Sequence, residues 1–292
     1  MPKNILVTGA SGFIGRNYKS NATYKSNIVS VSLQNTKLEE IDLTNINSIV
    51  HLAGIAHRMN QPSGQIYYDI NSTLTTNLAL KAKKSGVKQF VFISTIKVYG
   101  DKEGFDINFE EDSLCLPNDD YGKSKREAEQ SLLKLSDSKF KVAIVRPSLV
   151  YGAGVKGNLE KLMKLVSKKY KLPFGNINNK RSMVYVGNLI ALIDTIIKQK
   201  AEGVFIAGDK QPISTSYLIQ NIQKNFGQKK HLFSLPGLFR NLIKTLKPEL
   251  YKRLFCSLVV DNSITNQKLN FIPPFDSEIG IREMVLAYQE NL

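Results

Sequence analysis

Lys3-Asn4-Ile5-Leu6-Val7-Thr8-Gly9-Ala10-Ser11-Gly12-Phe13-Ile14-Gly15 is an apolar run that breaks on a threonine into three evenly spaced glycines, then continues as a polar helical stretch. Its apolar core reads as a short buried parallel strand over 3–8. Each glycine has a mechanical task. Gly9 permits a tight strand-to-helix turn, Gly12 lets the backbone approach a pyrophosphate, and Gly15 lets the helix pack closely. Phosphates would then meet the free N–H groups at a helix start. Ser11, Phe13 and Ile14 complete the candidate cofactor loop. A plain glycine-rich turn is the alternative, and the position directly after the first strand argues against it.

Outward from this turn, apolar segments alternate with helical ones. Strands are predicted over 28–31, 48–52, 89–93, 141–145 and 203–207. Helices are predicted over 69–85, 121–136 and 189–198. Gly86 suits a helix stop. This alternation implies an α/β fold, a doubly wound parallel Rossmann sheet with its cleft at the carboxyl ends of the strands. Tyr121 and Lys125 lie four apart on one helix and share a face. An ammonium beside a phenol favours the phenolate. Moving a tyrosine from near ~10 to neutrality takes roughly three units, about 4 kcal/mol. Such a group can give a proton to a carbonyl oxygen or take one from an alcohol, which is half of a hydride transfer.

Together, Gly-x-x-Gly-x-x-Gly and Tyr121-x-x-x-Lys125 resemble the extended short-chain dehydrogenase/reductase family, the NAD-dependent epimerases and dehydratases, many of which act on nucleotide sugars. The resemblance covers nearly the whole chain. Leu52-Ala53-Gly54 resembles a stretch whose small residues let the cofactor pass, and Asp42-Leu43 the pair over the adenine, although Asp42 could equally cap a turn. Ser94-Thr95 through Tyr99-Gly100 resembles the family's Ser/Thr signature and implies that the Thr95 hydroxyl polarises the reacting sugar oxygen. Pro147 matches a proline near the nicotinamide. Ile96 and Lys97 replace the Asp-Glu pair that dehydratases use, so dehydration is not expected. No acid follows Val31 to hold the adenosine ribose, and Lys37 is near, so NADP is favoured slightly over NAD. His51 reads as a packed strand residue and Asn71 as a structural one. His57 and Arg58 could face the substrate.

From Gly152 the resemblance passes to a substrate half. Asn158-Leu159 looks like the pair that touches nucleotide phosphate and uracil. Leu172-Pro173-Phe174-Gly175 looks like a strand backing the uracil. Arg181 resembles the arginine that binds the diphosphate, and a second such arginine is not located. The expected domains are a cofactor-binding one over 1–150 and 182–208 and a nucleotide-sugar lobe over 151–181 and 209–292. The run from Arg146 to Asn158 resembles capsule and O-antigen enzymes. The leading expectation is therefore reduction of the C4 ketone of a UDP-4-keto-6-deoxy-N-acetylhexosamine, giving UDP-N-acetylfucosamine or UDP-N-acetylquinovosamine. The alternatives are a UDP-hexose or UDP-N-acetylhexosamine 4-epimerase holding NAD tightly, and, more distantly, a non-catalytic dinucleotide sensor.

Bulk properties narrow the classes. The 292 residues carry a net charge of +15, spread without a dense basic block, which fits an anionic substrate better than nucleic acid. Two distant cysteines, Cys115 and Cys256, speak against a metal site or a disulfide framework. The immediate strand leaves no room for a signal peptide, and no apolar run nears the ~20 residues of a transmembrane helix, so a cytoplasmic protein is expected. The segment 229–255 is basic and amphipathic. It could contact a membrane peripherally, but packing within the substrate lobe is the expectation. A homodimer through two long helices is the expected assembly.

Overall fold

The computed structural model describes residues 4–56, 64–100, 106–229 and 232–291. Six parallel strands form the central sheet: β1 (Ile5–Thr8), β2 (Ile28–Val31), β3 (Ser48–His51), β4 (Gln89–Ile93), β6 (Lys141–Pro147) and β9 (Gly203–Ala207). Their order is β2-β1-β3-β4-β6-β9. A side-chain period of two sends alternate residues to opposite faces. On one face Ile5, Val7, Val50, Val91 and Val145 pack against α1 (Phe13–Asn21) and α6 (Val186–Gln199). On the other, Leu6, Ile49, Phe90, Phe92 and Ile144 pack against α3 (Thr75–Lys84) and α4 (Asp120–Leu135). Both faces are covered, which explains why the strands read as continuous apolar runs. Truncating one such residue, Leu132 of α4, would cost about 2–5 kcal/mol.

The predicted strands 28–31, 89–93 and 203–207 match the structure. The helix expected from 69 starts earlier, with α2 (Gln65–Tyr68). It passes through a π-helical segment, Asp69–Leu74, before α3, and Gly86 beyond its end has φ +80°. A strand interrupts the polar stretch between Gly100 and Tyr121. There β5 (Asp106–Phe109) pairs in parallel with β10 (Ser257–Val260), close to the opposite end of the chain. Local polarity could not reveal this, because the partner is remote in sequence.

A further apolar cluster joins α5 (Asn158–Ser167), α7 (Thr215–Asn225) and α11 (Ser277–Gln289) through Leu159, Met163, Ile219, Ile222, Ile281 and Met284. The short strands β7 (Leu149–Tyr151) and β8 (Met183–Tyr185) pair beside it. The expected strand at 172–175 reduces to a single bridge between Leu172 and Leu232. Helices α8 (Gly237–Leu246) and α9 (Pro248–Phe255) precede β10, and α10 (Ser263–Leu269) follows it.

Candidate active site

β1 ends at Thr8, in register with Val31 and His51, so the glycine turn leaves the sheet at its carboxyl edge. Gly9 has φ +69°, and a Cβ there would lie 2.5 Å from the Ala53 nitrogen. The close approach of this turn to Leu52-Ala53 therefore requires glycine. A Cβ on Gly15 would collide with the Gly9 carbonyl oxygen, so Gly15 packs on the turn itself. Gly12 differs, since only the Gly9 oxygen, at 3.2 Å, would border its Cβ. It starts α1 without a side-chain cap, while Ser11 is exposed and Phe13 and Ile14 are partly buried. An uncapped helix start beside open backbone fits a dinucleotide pyrophosphate.

Tyr121 stands in the first turn of α4 and Lys125 one turn on. The Tyr121 hydroxyl hydrogen-bonds with the Thr95 side chain, just beyond β4. The Lys125 ammonium donates to the Ile93 carbonyl at 2.9 Å and lies 4.4 Å from the centre of the Phe92 ring. Gly54 faces it, a Cβ there falling 3.2 Å from the lysine nitrogen. The structure thus gathers Thr95, Tyr121, Lys125 and Gly54, but the expected electrostatics do not follow. Burial pushes Tyr121 up to about 12, against the smaller lowering effect of the Thr95 bond. Burial likewise depresses Lys125 to about 7, partly offset by Glu129. Desolvation of the charged form is the largest cause of both shifts.

Neighbouring residues fix this geometry. Asp119 caps α4 by accepting from the Gly122 N–H at 2.7 Å, and Lys97 Nζ lies 2.5 Å from the other Asp119 oxygen. Lys97, in place of a dehydratase acid, therefore ties the Thr95 turn to the start of the tyrosine helix. Asn71, in the π-helical segment, exchanges hydrogen bonds with both backbone groups of Ile55 at 2.9 and 3.1 Å and reaches Ser124 Oγ at 3.1 Å. Its role is positional, as read from sequence. His51 is buried between the Thr8 and Thr75 hydroxyls at 2.7 and 2.9 Å, and burial holds its pKa down at about 3. It is a packed strand residue.

Sequence reading missed a buried ion pair beneath the site. Arg146 donates to both oxygens of Glu129 at 2.9 and 2.7 Å and to the Tyr99 hydroxyl at 2.9 Å. An arginine inside Val-Ala-Ile-Val-Arg-Pro was the available signal, because a charge in a buried strand must be paired. Asp42 is exposed and accepts from the Thr44 N–H at 2.8 Å, while Leu43 is buried in the core. Pro147 ends β6 at the carboxyl edge, next to β9. Asn158 is exposed at the start of α5, Leu159 is buried beneath it, and Phe174 is partly buried.

Arg181 is partly buried and donates to the carbonyls of Lys252 and Cys256 at 3.4 and 3.2 Å. It takes part in none of the ion pairs among the described residues. Burial lowers its pKa, and the nearby Arg253 guanidinium lowers it further. Arg253 is near enough for its charge to be felt at Arg181, which makes it a candidate for the second arginine that sequence left unlocated. Like charges held together without a carboxylate suit a polyanion. His57 and Arg58 lie outside the described residues. Among the described residues no cluster of His, Cys, Asp or Glu could hold a metal, and no helix is long and apolar enough to cross a membrane.

The model of the NAD dependent epimerase/dehydratase family matches residues 5–208. The chain belongs to this family. Along 99% of its length it is 36% identical to a UDP-glucose 4-epimerase of Vibrio cholerae, covering 96% of that protein. It is 29% identical, over the same shares of both chains, to the N-acetyl-alpha-D-glucosaminyl-diphospho-ditrans,octacis-undecaprenol 4-epimerase of Escherichia coli O157:H7. The UDP-glucuronic acid 4-epimerase from Bacillus cereus, solved in complex with NAD, superposes with a TM-score of 0.77 at 21% identity, over 98% of this chain and 99% of that one. This likeness places the Rossmann sheet in the family's fold. The Thr95–Tyr121–Lys125 group lies in the segment that the family model matches, and Arg253 lies beyond it.

Proposed function

We propose that this family member epimerises C4 of a hexose or N-acetylhexosamine carried on UDP. The observation that carries the reading is the Tyr121–Thr95 hydrogen bond above Lys125. It is a proton-transfer pair able to take a proton from an oxygen and return it there, as 4-epimerisation requires. The full-length similarity to a UDP-glucose 4-epimerase supports it. The 4-ketoreductase expected from sequence uses the same residues and becomes the second reading. Its support is the missing ribose acid, since Ser32 follows Val31 at the sheet edge. The same feature was the ground for NADP, and the family's NAD dependence supports NAD.

In this reading Gly9, Ser11, Gly12 and Gly15 hold the pyrophosphate, and Lys125 with Gly54 borders the nicotinamide ribose. A nicotinamide dinucleotide held there would supply the hydride acceptor. Tyr121 takes the proton of the C4 hydroxyl, Thr95 holds that oxygen, and Tyr121 returns the proton once the opposite sugar face is presented. Arg181 and Arg253 bind the diphosphate, and Asn158, Leu159 and Phe174 line the nucleotide side. A diphosphate is also what a polyprenol-linked sugar presents. That carrier is a further substrate class for the same two arginines, favoured by the apolar surface that α8 and α9 expose beside them.

The deciding experiment supplies UDP-glucose or UDP-N-acetylglucosamine and follows the product by NMR with absorbance at 340 nm. Appearance of the C4 epimer without net absorbance change supports epimerisation. Stoichiometric NAD(P)H oxidation with a UDP-4-keto-6-deoxy-N-acetylhexosamine, and no epimer from the first two sugars, would transfer the assignment to the reductase.

A further inference from the structure

We propose that the α8–α9 pair docks the protein on an anionic lipid bilayer. Every other α-helix of eight residues or more among the described residues buries part of its length, whereas these two bury no residue. The start of the basic segment packs within the substrate lobe through Leu232, as expected from sequence, whereas α8 and α9 bury no residue there. Leu238, Phe239, Leu242 and Leu246 recur at helical spacing and form one stripe. Their exposures are 80%, 55%, 53% and 68%, and Leu250 of α9 adds 42%. The opposite side of α8 faces α9, with the Arg240 guanidinium 5.1 Å from the Phe255 ring centre and Lys244 Nζ 6.0 Å from that of Tyr251. The stripe therefore points away from the protein.

Charge selects the occupant. The segment 237–255 carries five cations (Arg240, Lys244, Lys247, Lys252 and Arg253) and one acid, Glu249. An apolar stripe on a helix pair rich in cations matches the boundary between acyl chains and anionic headgroups, where the leucines enter the apolar layer and the net positive charge adds attraction to the anionic surface. A second copy of this chain is the poorer match. A self-complementary contact would press two like-charged faces together, in a molecule of net charge +15. A long-range positive charge alone would attract vesicles through any face, so the apolar stripe is the part to test.

Flotation with vesicles of phosphatidylethanolamine and phosphatidylglycerol, against pure phosphatidylcholine, reads the docking directly and needs no substrate. Its outcome is therefore independent of the proposed activity. The full chain is expected to float with the anionic vesicles, less so as salt rises, and to stay behind with phosphatidylcholine. The double variant Phe239→Ser/Leu242→Glu is expected to lose at least roughly tenfold in bound fraction, with circular dichroism and UDP binding unchanged. Lys247→Glu tests the charge with the stripe intact and is expected to weaken binding. Failure to float with anionic vesicles would overturn the proposal, as would equal binding by the double variant. A solution dimer that Leu242→Glu dissociates would assign the face to a second copy instead.

Discussion

Lys125 Nζ donates to the Ile93 carbonyl at 2.9 Å, so the ammonium hangs from the last residue of β4, directly before the Ser94-Thr95 turn. The lysine is thereby anchored by the strand that presents Thr95, and strand and helix hold the two candidate groups in one geometry. The same burial depresses its pKa to about 7.

That depression sets a pH dependence. The folded protein binds fewer protons at Lys125 than the unfolded chain between about 7 and the ordinary lysine value of 10.5. Stability from this group therefore rises as pH increases through that window, and its penalty is complete below about 7. Urea unfolding of the wild type and of Lys125→Met across these pH values is the measurement. The wild type is expected to gain on the variant from neutral to alkaline pH, and parallel curves would refute the burial effect.

Tyr121→Phe removes the proton-transferring hydroxyl and leaves the ring in place. Turnover is expected to fall by about 10²–10⁴-fold with dinucleotide affinity nearly unchanged. Thr95→Val removes the partner hydroxyl and is expected to cost roughly 10²–10³-fold in kcat. Near-normal kcat in either variant would show its hydroxyl to be structural.

For the diphosphate subsite, calorimetric titration with UDP compares Arg181→Ala and Arg253→Ala with the parent. Arg181 is partly buried, and its loss is expected to cost about 2–4 kcal/mol of binding. Arg253 is exposed, and its loss is expected to cost about 1–2 kcal/mol, because solvent screens its charge. Unchanged affinity in both variants would place the subsite elsewhere.

The Arg146–Glu129 pair is buried, with Glu129 also accepting from Arg126 at 3.0 Å. Glu129→Ala leaves the Arg146 charge uncompensated and is expected to cost roughly 3–5 kcal/mol in denaturant unfolding. Glu129 also raises the Lys125 pKa, so the pH window of Lys125 should extend downward in this variant. A loss below about 1 kcal/mol would mean that water replaces the carboxylate.

What the sequence determined by itself is local. The glycine turn after β1, the strands at 28–31, 89–93 and 203–207 and the shared face of Tyr121 and Lys125 all follow from spacing within a few residues. In such segments burial on both faces and helical period leave direct marks on composition. Tertiary structure alone decided the rest. It bonded Arg181 to the Lys252 and Cys256 carbonyls, paired Asp106–Phe109 with Ser257–Val260, and turned the α8 leucines outward. It also reversed the expected tyrosine shift. Spacing can place a lysine next to a phenol, but the pKa depends on how much water both groups lose, and that is a property of everything packed around them.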